Sequence, residues 1–339
     1  MKNIVIKNVS IVNEGATSIG DVWIRDTRIE KIGPQLDPSM RIEEIDGTGQ
    51  TLIPGVIDDQ VHFREPGLTH KATIYTEAKA AVRGGVTSFM EMPNTNPPAF
   101  THELLEQKYD IAKNHALANY SFFMGTSNDN LEEILRTNDK KNDICGVKIF
   151  MGSSTGNLLV DNPILLEKIF EGSEVLIATH CESESRVKQR YADALAKFGD
   201  DIPPREHPVI RDAEACYLSS SFAIELAKKH NTRLHILHIT SEKETDLFRN
   251  DIPLLEKRIT AEVCVHHLHF SEADYETLGH LIKCNPAVKT AQDREALWKA
   301  LLDDRFDVIA TDHAPHTWEE KQNLYPTSPS GLPLVQHAL

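Results

Sequence analysis

The chain has 339 residues, with 36 Lys+Arg against 51 Asp+Glu, so its formal net charge is −15. This charge argues against nonspecific nucleic-acid binding, which needs a basic surface, and a content of 40% hydrophobic and 26% charged residues excludes a disordered or fibrous chain. No apolar run approaches the roughly 20 residues of a membrane span, and residues 1–15 lack the apolar core of a secretory signal.

The N-terminal segment, residues 1–52, predicts a small β-unit. Polar and apolar residues alternate at 3–12 and 21–32, and turn residues occupy 13–15 and 25–27. This pattern is typical of β-hairpins. We expect a separate domain of the β-sandwich type that a further C-terminal segment would complete.

Residues 53–339 alternate between apolar strands and helices. Eight strands are predicted, at 56–63, 86–92, 119–125, 146–151, 175–180, 233–239, 259–265 and 306–311. Helices are predicted between them, including 73–83, 103–116, 213–229 and 293–302, the last opening with a capping-box variant at Thr290. This order predicts a parallel (β/α)8 TIM-type barrel. An open doubly wound sheet is the alternative, although no glycine-rich phosphate loop follows a strand.

The C-terminal residues affect the predicted barrel. The eighth strand ends near residue 311, and residues 331–339 look like the opening of a helix. A barrel needs a closing helix at this point. We therefore expect the sequence to be truncated within the last barrel helix.

Polar residues stand at the predicted ends of several strands, where the active site of such a barrel lies. They are His62, Arg64, Asn94, Lys148, His180, His238, Asp312 and His316. Imidazole and carboxylate groups suit Zn²⁺, so the set predicts a metal site. Each residue alone has a structural explanation: Lys148 could be ion-paired and Asp312 could cap a helix. His235 is interpreted as structural, because it lies three residues before His238.

This combination resembles the amidohydrolase superfamily and, within it, the dihydroorotases. The resemblance runs from the N-terminal β-unit to Leu339 and rests mainly on segments 61–67 (VHFREPG), 92–97 (MPNTNP) and 311–316 (TDHAPH). It implies reversible zinc-dependent hydrolysis of dihydroorotate to N-carbamoyl-aspartate, in pyrimidine biosynthesis. It also implies a small-molecule substrate, a homodimer or a contact with aspartate carbamoyltransferase, and a cytoplasmic location. The five scattered cysteines, which show no CxxC spacing, agree with that location.

The resemblance also implies a role for each site residue. The implied metal ligands are His62, Lys148, His180, His238 and Asp312, with one or two zinc ions per chain and Lys148 carbamylated. The implied substrate-binding residues are Arg64, Asn94, Asn285 and His316. Asp312 is further implied to move the proton during catalysis. Arg64 can match the carboxylate of dihydroorotate with two parallel hydrogen bonds, and a hydantoinase or allantoinase would not need such a residue.

Gln60 departs from the family pattern, which begins His-x-His-x-Arg, because the chain reads Gln-Val-His-Phe-Arg from residue 60. A glutamine carbonyl is a poorer zinc ligand than imidazole. Three outcomes stay open. The first metal could bind through His62, the Lys148 carbamate, Asp312 and water. Only the second metal could bind, through Lys148, His180 and His238. Otherwise the chain is a catalytically impaired structural partner of aspartate carbamoyltransferase. A working enzyme is favoured, since the other site residues are present.

A few residues near the predicted site have no assigned role. Asp58 or Asp59 could compensate for Gln60, and Glu262 could orient a metal ligand. His266 and His267 follow the seventh strand and are interpreted as supporting groups or a polar loop, while Cys264 is interpreted as a packing residue. The segments 157–163 and 325–331 are predicted to be loops beside the site.

Overall fold

The computed structural model describes residues 3–37, 42–152 and 158–339. The chain divides into two compact units, Met1–Val56 and Ile57–Leu339. The loop predicted at 157–163 begins at a residue that lies outside the described part of the chain.

The first unit is a five-stranded sheet. Its strands are β1 (Asn3–Asn13), β2 (Ala16–Arg25), β3 (Arg28–Gly33), β4 (Glu43–Asp46) and β5 (Thr51–Leu52). β1–β2 and β2–β3 are antiparallel hairpins, as the alternating pattern predicts, whereas β4 and β5 pair with β1 in parallel. The side chains of Val5, Val9 and Val22 are buried, so the alternation of β1 and β2 places an apolar face away from solvent.

The second unit contains an eight-stranded sheet, ordered along the chain. Its strands are β6 (Val56–Val61), β7 (Val86–Glu91), β8 (Asn119–Gly125), β9 (Gly146–Phe150), β10 (Ile177–His180), β11 (Leu234–Ile236), β12 (Ile259–Cys264) and β13 (Val308–Ala310). Every recorded pairing between consecutive strands from β7 to β13 is parallel. The predicted TIM-type barrel with a small N-terminal β-unit is confirmed.

The first and last barrel strands meet just beyond their carboxyl ends. Val61 and His313 form a parallel bridge, and the amide of His62 donates to the carbonyl oxygen of His313 at 2.7 Å. This contact brings the segments after β6 and β13 together, and both carry predicted site residues.

Helices follow most barrel strands. They are α1 (Ile74–Arg83), α2 (His102–His115), α3 (Leu131–Leu135), α4 (Pro163–Gly172), α5 (Glu184–Phe198), α6 (His207–Ile210), α7 (Ala213–His230), α8 (Glu242–Thr245), α9 (Val265–His269), α10 (Tyr275–Leu278), α11 (Ala291–Leu302) and α12 (Trp318–Lys321). Thr73 caps α1 and Thr290 caps α11, each in a reciprocal box with the third helical residue. Among the helices described, none combines the length and apolar character that a membrane crossing requires.

Candidate active site

A small cavity opens at the carboxyl ends of the barrel strands. Its lining residues are Gln60, His62, Arg64, Asn94, Lys148, Phe150, His180, His238, Asn285, Asp312, Ala314, Ser330 and Gly331. Eight of the nine predicted site residues are therefore brought together around one space. The ninth, His316, lines a neighbouring groove, to which Asn285 and Ser330 also contribute.

Three of these residues have left-handed backbone conformations. Their φ angles are +71° at Arg64, +40° at His238 and +46° at Asp312. A non-glycine residue in this region carries a free-energy cost of order 1–3 kcal/mol, which the surrounding structure must offset. All three follow barrel strands directly, so the strained turns direct these side chains at the strand ends.

His180 and His238 form the first half of the site together with Lys148, and we call these three residues the His180–His238 half. Nδ1 of His180 faces Nε2 of His238 at 3.1 Å. Nε2 of His180 lies 2.9 Å from a carboxylate oxygen of Glu182, which also pairs with Arg211. The carboxylate accepts a hydrogen bond from the N–H group at Nε2. The lone pair of Nδ1 is then directed at His238, as is usual for a metal-binding imidazole.

Lys148 completes this half from β9. Its side chain is 1% exposed and its Nζ lies 4.6 Å from the ring centre of Phe150. Burial lowers the pKa of Lys148 to about 8, although the charges of Asp312 and Glu262 oppose the shift. The neutral amine is therefore accessible near neutral pH, and it is the form that can react to give a carbamate.

Gln60, His62 and Asp312 form the second half of the site, which we call the Gln60–His62 half. Nδ1 of His62 lies 2.6 Å from Oδ1 of Asn94, and Nε2 lies 3.0 Å from Oδ1 of Asp312. Burial alone would raise the pKa of Asp312, but the hydrogen bond and charge of His62 lower it below its usual value. Asp312 is thus an ionised, buried base, while both nitrogens of His62 already have partners.

Asp58 and Asp59, either of which could compensate for Gln60, contact other groups in the structure. The carboxylate of Asp58 accepts hydrogen bonds from the amide and hydroxyl of Thr311, at 3.2 and 2.5 Å. Asp59 lies 3.3 Å from His235, which also lies 3.2 Å from Glu262. Burial opposes protonation of His235, but these two carboxylates raise its pKa to about 10. Both acids are engaged elsewhere, and neither lines the cavity.

Glu262 supports the His180–His238 half through the backbone. One oxygen of its carboxylate accepts the amide of His238 at 3.0 Å, and the other contacts His235. The hydrogen bond fixes the strained residue His238 at the end of β11. The sequence suggested this orienting role for Glu262, whereas the equivalent contribution of Glu182 was missed although it lies two residues after His180.

Arg64 is a buried cation beside the cavity, with 4% of its surface exposed. Its Nε donates to the carbonyl oxygen of Pro315 at 3.0 Å, and its Nη2 lies 3.1 Å from Nε2 of His316. Burial lowers the pKa of Arg64 to about 10, so the guanidinium stays charged at neutral pH. The hydrogen bond to Pro315 uses one of its five N–H groups, which leaves donors for an anionic group.

His316 supports Arg64 and does not line the cavity itself. Burial, together with the neighbouring charges of Arg64, Lys71 and Lys321, lowers the pKa of His316 to about 2. The imidazole is therefore neutral and can lie against a guanidinium without charge repulsion.

The segment 325–331 forms one wall of the cavity through Ser330 and Gly331, in agreement with the predicted loop. Ser330 Oγ donates to Oδ1 of Asn285 at 3.1 Å, which orients this amide. Gly331 has a φ of +146°, and a Cβ there would lie 2.5 Å from the carbonyl oxygen of Ala314. Only glycine allows this close approach of the two backbones.

The donors of the His180–His238 half fit a small divalent metal ion. Two buried imidazoles converge at 3.1 Å, one oriented by a carboxylate, and Nδ1 of His238 has no hydrogen-bond partner among the described residues. The Gln60–His62 half fits less well, since Gln60 offers an amide oxygen where the other half offers nitrogen. The chemistry of the donors therefore favours one metal position over the other.

Comparison with known proteins gives consistent results. The amidohydrolase family matches residues 51–330. The dihydroorotase of Enterococcus faecalis is 32% identical over 335 residues, covering 98% of this chain and 76% of that protein. The dihydroorotase of Methanosarcina acetivorans is 30% identical over 348 residues, with 99% and 72% covered. The allantoinase of Solibacter usitatus is 32% identical over 328 residues, with 93% and 68% covered.

Among solved structures, the L-hydantoinase (dihydropyrimidinase) of Arthrobacter aurescens superposes with a TM-score of 0.91 at 22% identity. The match covers 100% of this chain and 76% of that chain, and it supports the fold. The family match spans most of the chain, and the alignments with the two dihydroorotases cover 98% and 99% of it. The chain belongs to the amidohydrolase family, as its sequence predicted.

Proposed function

We propose that this protein is a dihydroorotase, which hydrolyses the ring amide of dihydroorotate to N-carbamoyl-aspartate and also catalyses the reverse ring closure. One observation carries the choice of substrate: the buried guanidinium of Arg64 lines the same cavity as Lys148, His180, His238 and Asp312. A cyclic amide with a carboxylate would place its charge on Arg64 and its scissile bond near the histidines. Dihydroorotate has both groups, whereas the rings of allantoin, hydantoin and dihydropyrimidines lack the carboxylate.

The His180–His238 half would hold one divalent metal ion, with zinc favoured by its nitrogen donors and Lys148 supplying a carbamate oxygen. A bound metal supplies Lewis-acid polarisation of the amide carbonyl and lowers the pKa of water at the site. Of the three outcomes left open by Gln60, we propose the one in which only this position is filled. His62 and Asp312 stay the predicted ligands of the other position, which Gln60 leaves incomplete.

Asp312 would carry the proton in the reaction. Water attacks the ring amide carbon, and the carboxylate of Asp312 accepts the proton that the water loses. Asp312 then donates this proton to the ring nitrogen as the carbon–nitrogen bond breaks, which yields an open carbamoyl chain and a new carboxylic acid that loses its proton to solvent at neutral pH. The contact with His62 Nε2 at 3.0 Å keeps Asp312 ionised before the attack, and so ready to accept the proton.

Arg64 and two asparagines would hold the substrate during this transfer. Arg64 would bind the carboxylate, while Asn94 and Asn285, which also line the cavity, would offer amide groups to the polar edge of the ring. Neutral His316 would contact the guanidinium of Arg64 from outside the cavity and keep it in place. The position of His316 outside the cavity therefore suggests an indirect role in substrate binding.

Arg64→Gln tests this assignment of the substrate. Loss of a charge-assisted hydrogen bond costs about 1.5–3 kcal/mol, so we expect kcat/KM for dihydroorotate to fall by roughly 10- to 150-fold. Dihydrouracil has the same ring without the carboxylate. Its kcat/KM should therefore be the same for the wild-type protein and the variant. Preference of the wild-type protein for dihydrouracil, hydantoin or allantoin would contradict the proposal and favour the cyclic amidases of the same family.

The wider setting stays a prediction based on the same assignment. A dihydroorotase would act in pyrimidine biosynthesis in the cytoplasm, with a homodimer or aspartate carbamoyltransferase as partner. If a folded protein supplied with zinc and bicarbonate neither binds metal nor hydrolyses any of these rings, a structural role beside aspartate carbamoyltransferase becomes the better explanation.

A further inference from the structure

A second cluster of metal-binding side chains lies beside the cavity, at the end of β12 and in α9. Its members are Cys264, His266 and His267, which are 0%, 2% and 3% exposed. One donor atom from each of the three lies within 4.8 Å of the other two. None of them lines the cavity described above, so this cluster is distinct from the donors that face the substrate.

His267 is oriented in the manner of a metal ligand. Its Nε2 lies 3.1 Å from the carbonyl oxygen of Pro286. A carbonyl oxygen only accepts hydrogen bonds, so Nε2 carries the proton and Nδ1 carries the lone pair. This Nδ1 is buried and has no hydrogen-bond partner in the described part of the chain. An imidazole that binds metal usually donates one ring N–H group to a carbonyl oxygen and keeps the lone pair of its other nitrogen for the ion.

His266 is more unusual, because neither of its ring nitrogens has a hydrogen-bond partner among the described residues. Its ring centre lies 4.0 Å from that of His267. A buried imidazole without hydrogen bonds costs free energy, since one nitrogen is always a donor and the other an acceptor. Packing alone would be served better by an apolar residue at this position.

Among the described residues, the thiol of Cys264 has long, weak contacts only. Its Sγ lies 3.6 Å from Oε1 of Glu262 and 3.8 Å from Oε1 of Gln60. Burial and the surrounding carboxylates, Glu262 and Asp312 foremost, raise the pKa of this thiol well above its usual value. The same negative charges would attract a cation, and a bound metal would displace the thiol proton.

We propose that Cys264, His266 and His267 bind a thiophilic divalent metal ion, of the zinc type, at a site separate from the catalytic cavity. One thiolate and two imidazoles are donors that zinc and cobalt accept in a tetrahedral site. Because the three side chains are buried, the ion would be enclosed during folding and would have a structural role. It would fix α9 to the end of β12, the strand whose Glu262 holds the amide of His238.

Cobalt reports directly on the thiolate. Protein produced in cobalt-supplemented medium should show thiolate-to-cobalt charge-transfer absorption in the near ultraviolet. Cys264→Ser should remove this band and lower the metal content by about one equivalent per chain. Cys216→Ser is the matched control, since Cys216 is also a buried thiol but lies in α7, and it should keep both the band and the metal.

Stability of His266→Leu gives a second, independent readout. If the imidazole is only a buried side chain without partners, leucine should leave the melting temperature unchanged or raise it. If it binds metal, the variant should lose one equivalent of metal, melt at a lower temperature and stop responding to chelators. The proposal is overturned if the cobalt protein lacks the band, or if His266→Leu melts no lower than the wild-type protein.

A further variant distinguishes failure of the second metal site from failure of the proposed dihydroorotase activity. His238→Asn should abolish hydrolysis and remove the ion of the catalytic cavity, yet keep the thiolate band. Loss of the band in His238→Asn would place the thiolate and His238 on the same ion and would contradict a separate site.

Discussion

The two halves of the site use similar residues in different ways. In the His180–His238 half, a carboxylate fixes one imidazole and the two rings converge at 3.1 Å, with the amine of Lys148 nearby. In the Gln60–His62 half, Gln60 offers an amide group, and both nitrogens of His62 contact oxygens of other site residues. We therefore propose a metal site in the first half and a proton-transfer site in the second, although their donors are similar. The two halves differ in the hydrogen-bond partners of their histidines, which are Glu182 for His180, and Asn94 and Asp312 for His62.

Asp312→Asn should give the largest effect and sharpen this division of labour. Without the ionised base, we expect kcat to fall by about 10²- to 10⁴-fold, the range that general acid–base catalysis contributes. Metal content should not change, because Asp312 belongs to the half that we propose to be empty of metal. Elemental analysis beside a dihydroorotate assay measures both. Loss of metal together with activity would show that the two halves are not separate.

Glu182→Gln tests the support of the metal half. The amide oxygen of the variant should accept the hydrogen bond from His180 Nε2 less strongly than the carboxylate does. We therefore expect metal affinity to fall by about 10- to 100-fold, the usual effect of losing a hydrogen-bond partner of a metal ligand. Glu184→Gln makes the same chemical change two residues away, where the carboxylate pairs with Lys188, and should leave the affinity unchanged. Competition with a metal chelator gives both values. Equal affinities in the two variants would exclude the proposed role of Glu182.

The pH dependence of carbamate formation tests Lys148, with a smaller expected effect. The pKa of this amine is lowered to about 8, and only the neutral form reacts with carbon dioxide. Below that value the amine is protonated, so reactivation of metal-stripped protein at a fixed concentration of dissolved carbon dioxide should slow as the pH falls. Between pH 9 and pH 7 the neutral fraction drops about tenfold. A rate that does not change across this range, or reactivation of Lys148→Met, would contradict the role.

Much of this molecule could be predicted from the sequence, because strand order and strand ends follow from hydrophobic patterns. The eight barrel strands were located within a few residues, and the topology then placed His62, Lys148, His180 and Asp312 at one rim. Thr290 was recognised as the start of a helix from its spacing to Asp293 alone. These features depend on local sequence and on a general rule of the fold.

Contacts between distant side chains could not be predicted in the same way. Asp59 is next to Gln60 in sequence, yet its carboxylate is used by His235, some 176 positions later. His316 was expected in the cavity but lies behind Arg64 and lines the groove. The unpartnered nitrogens of His266 are a property of its burial, for which the sequence carries no signal. Side-chain direction in such cases depends on packing rather than on pattern.

We propose that the His180–His238 half holds the metal and that Gln60 keeps the other half empty. The most direct test is an anomalous-difference map at the zinc edge, from crystals of the wild-type protein and of Gln60→His grown with zinc and bicarbonate. We predict a wild-type peak among Lys148, His180 and His238, and none between Gln60 and His62. Gln60→His should add a second peak beside His62 and Asp312. A wild-type peak beside Gln60, or none beside His180 and His238, would contradict the account.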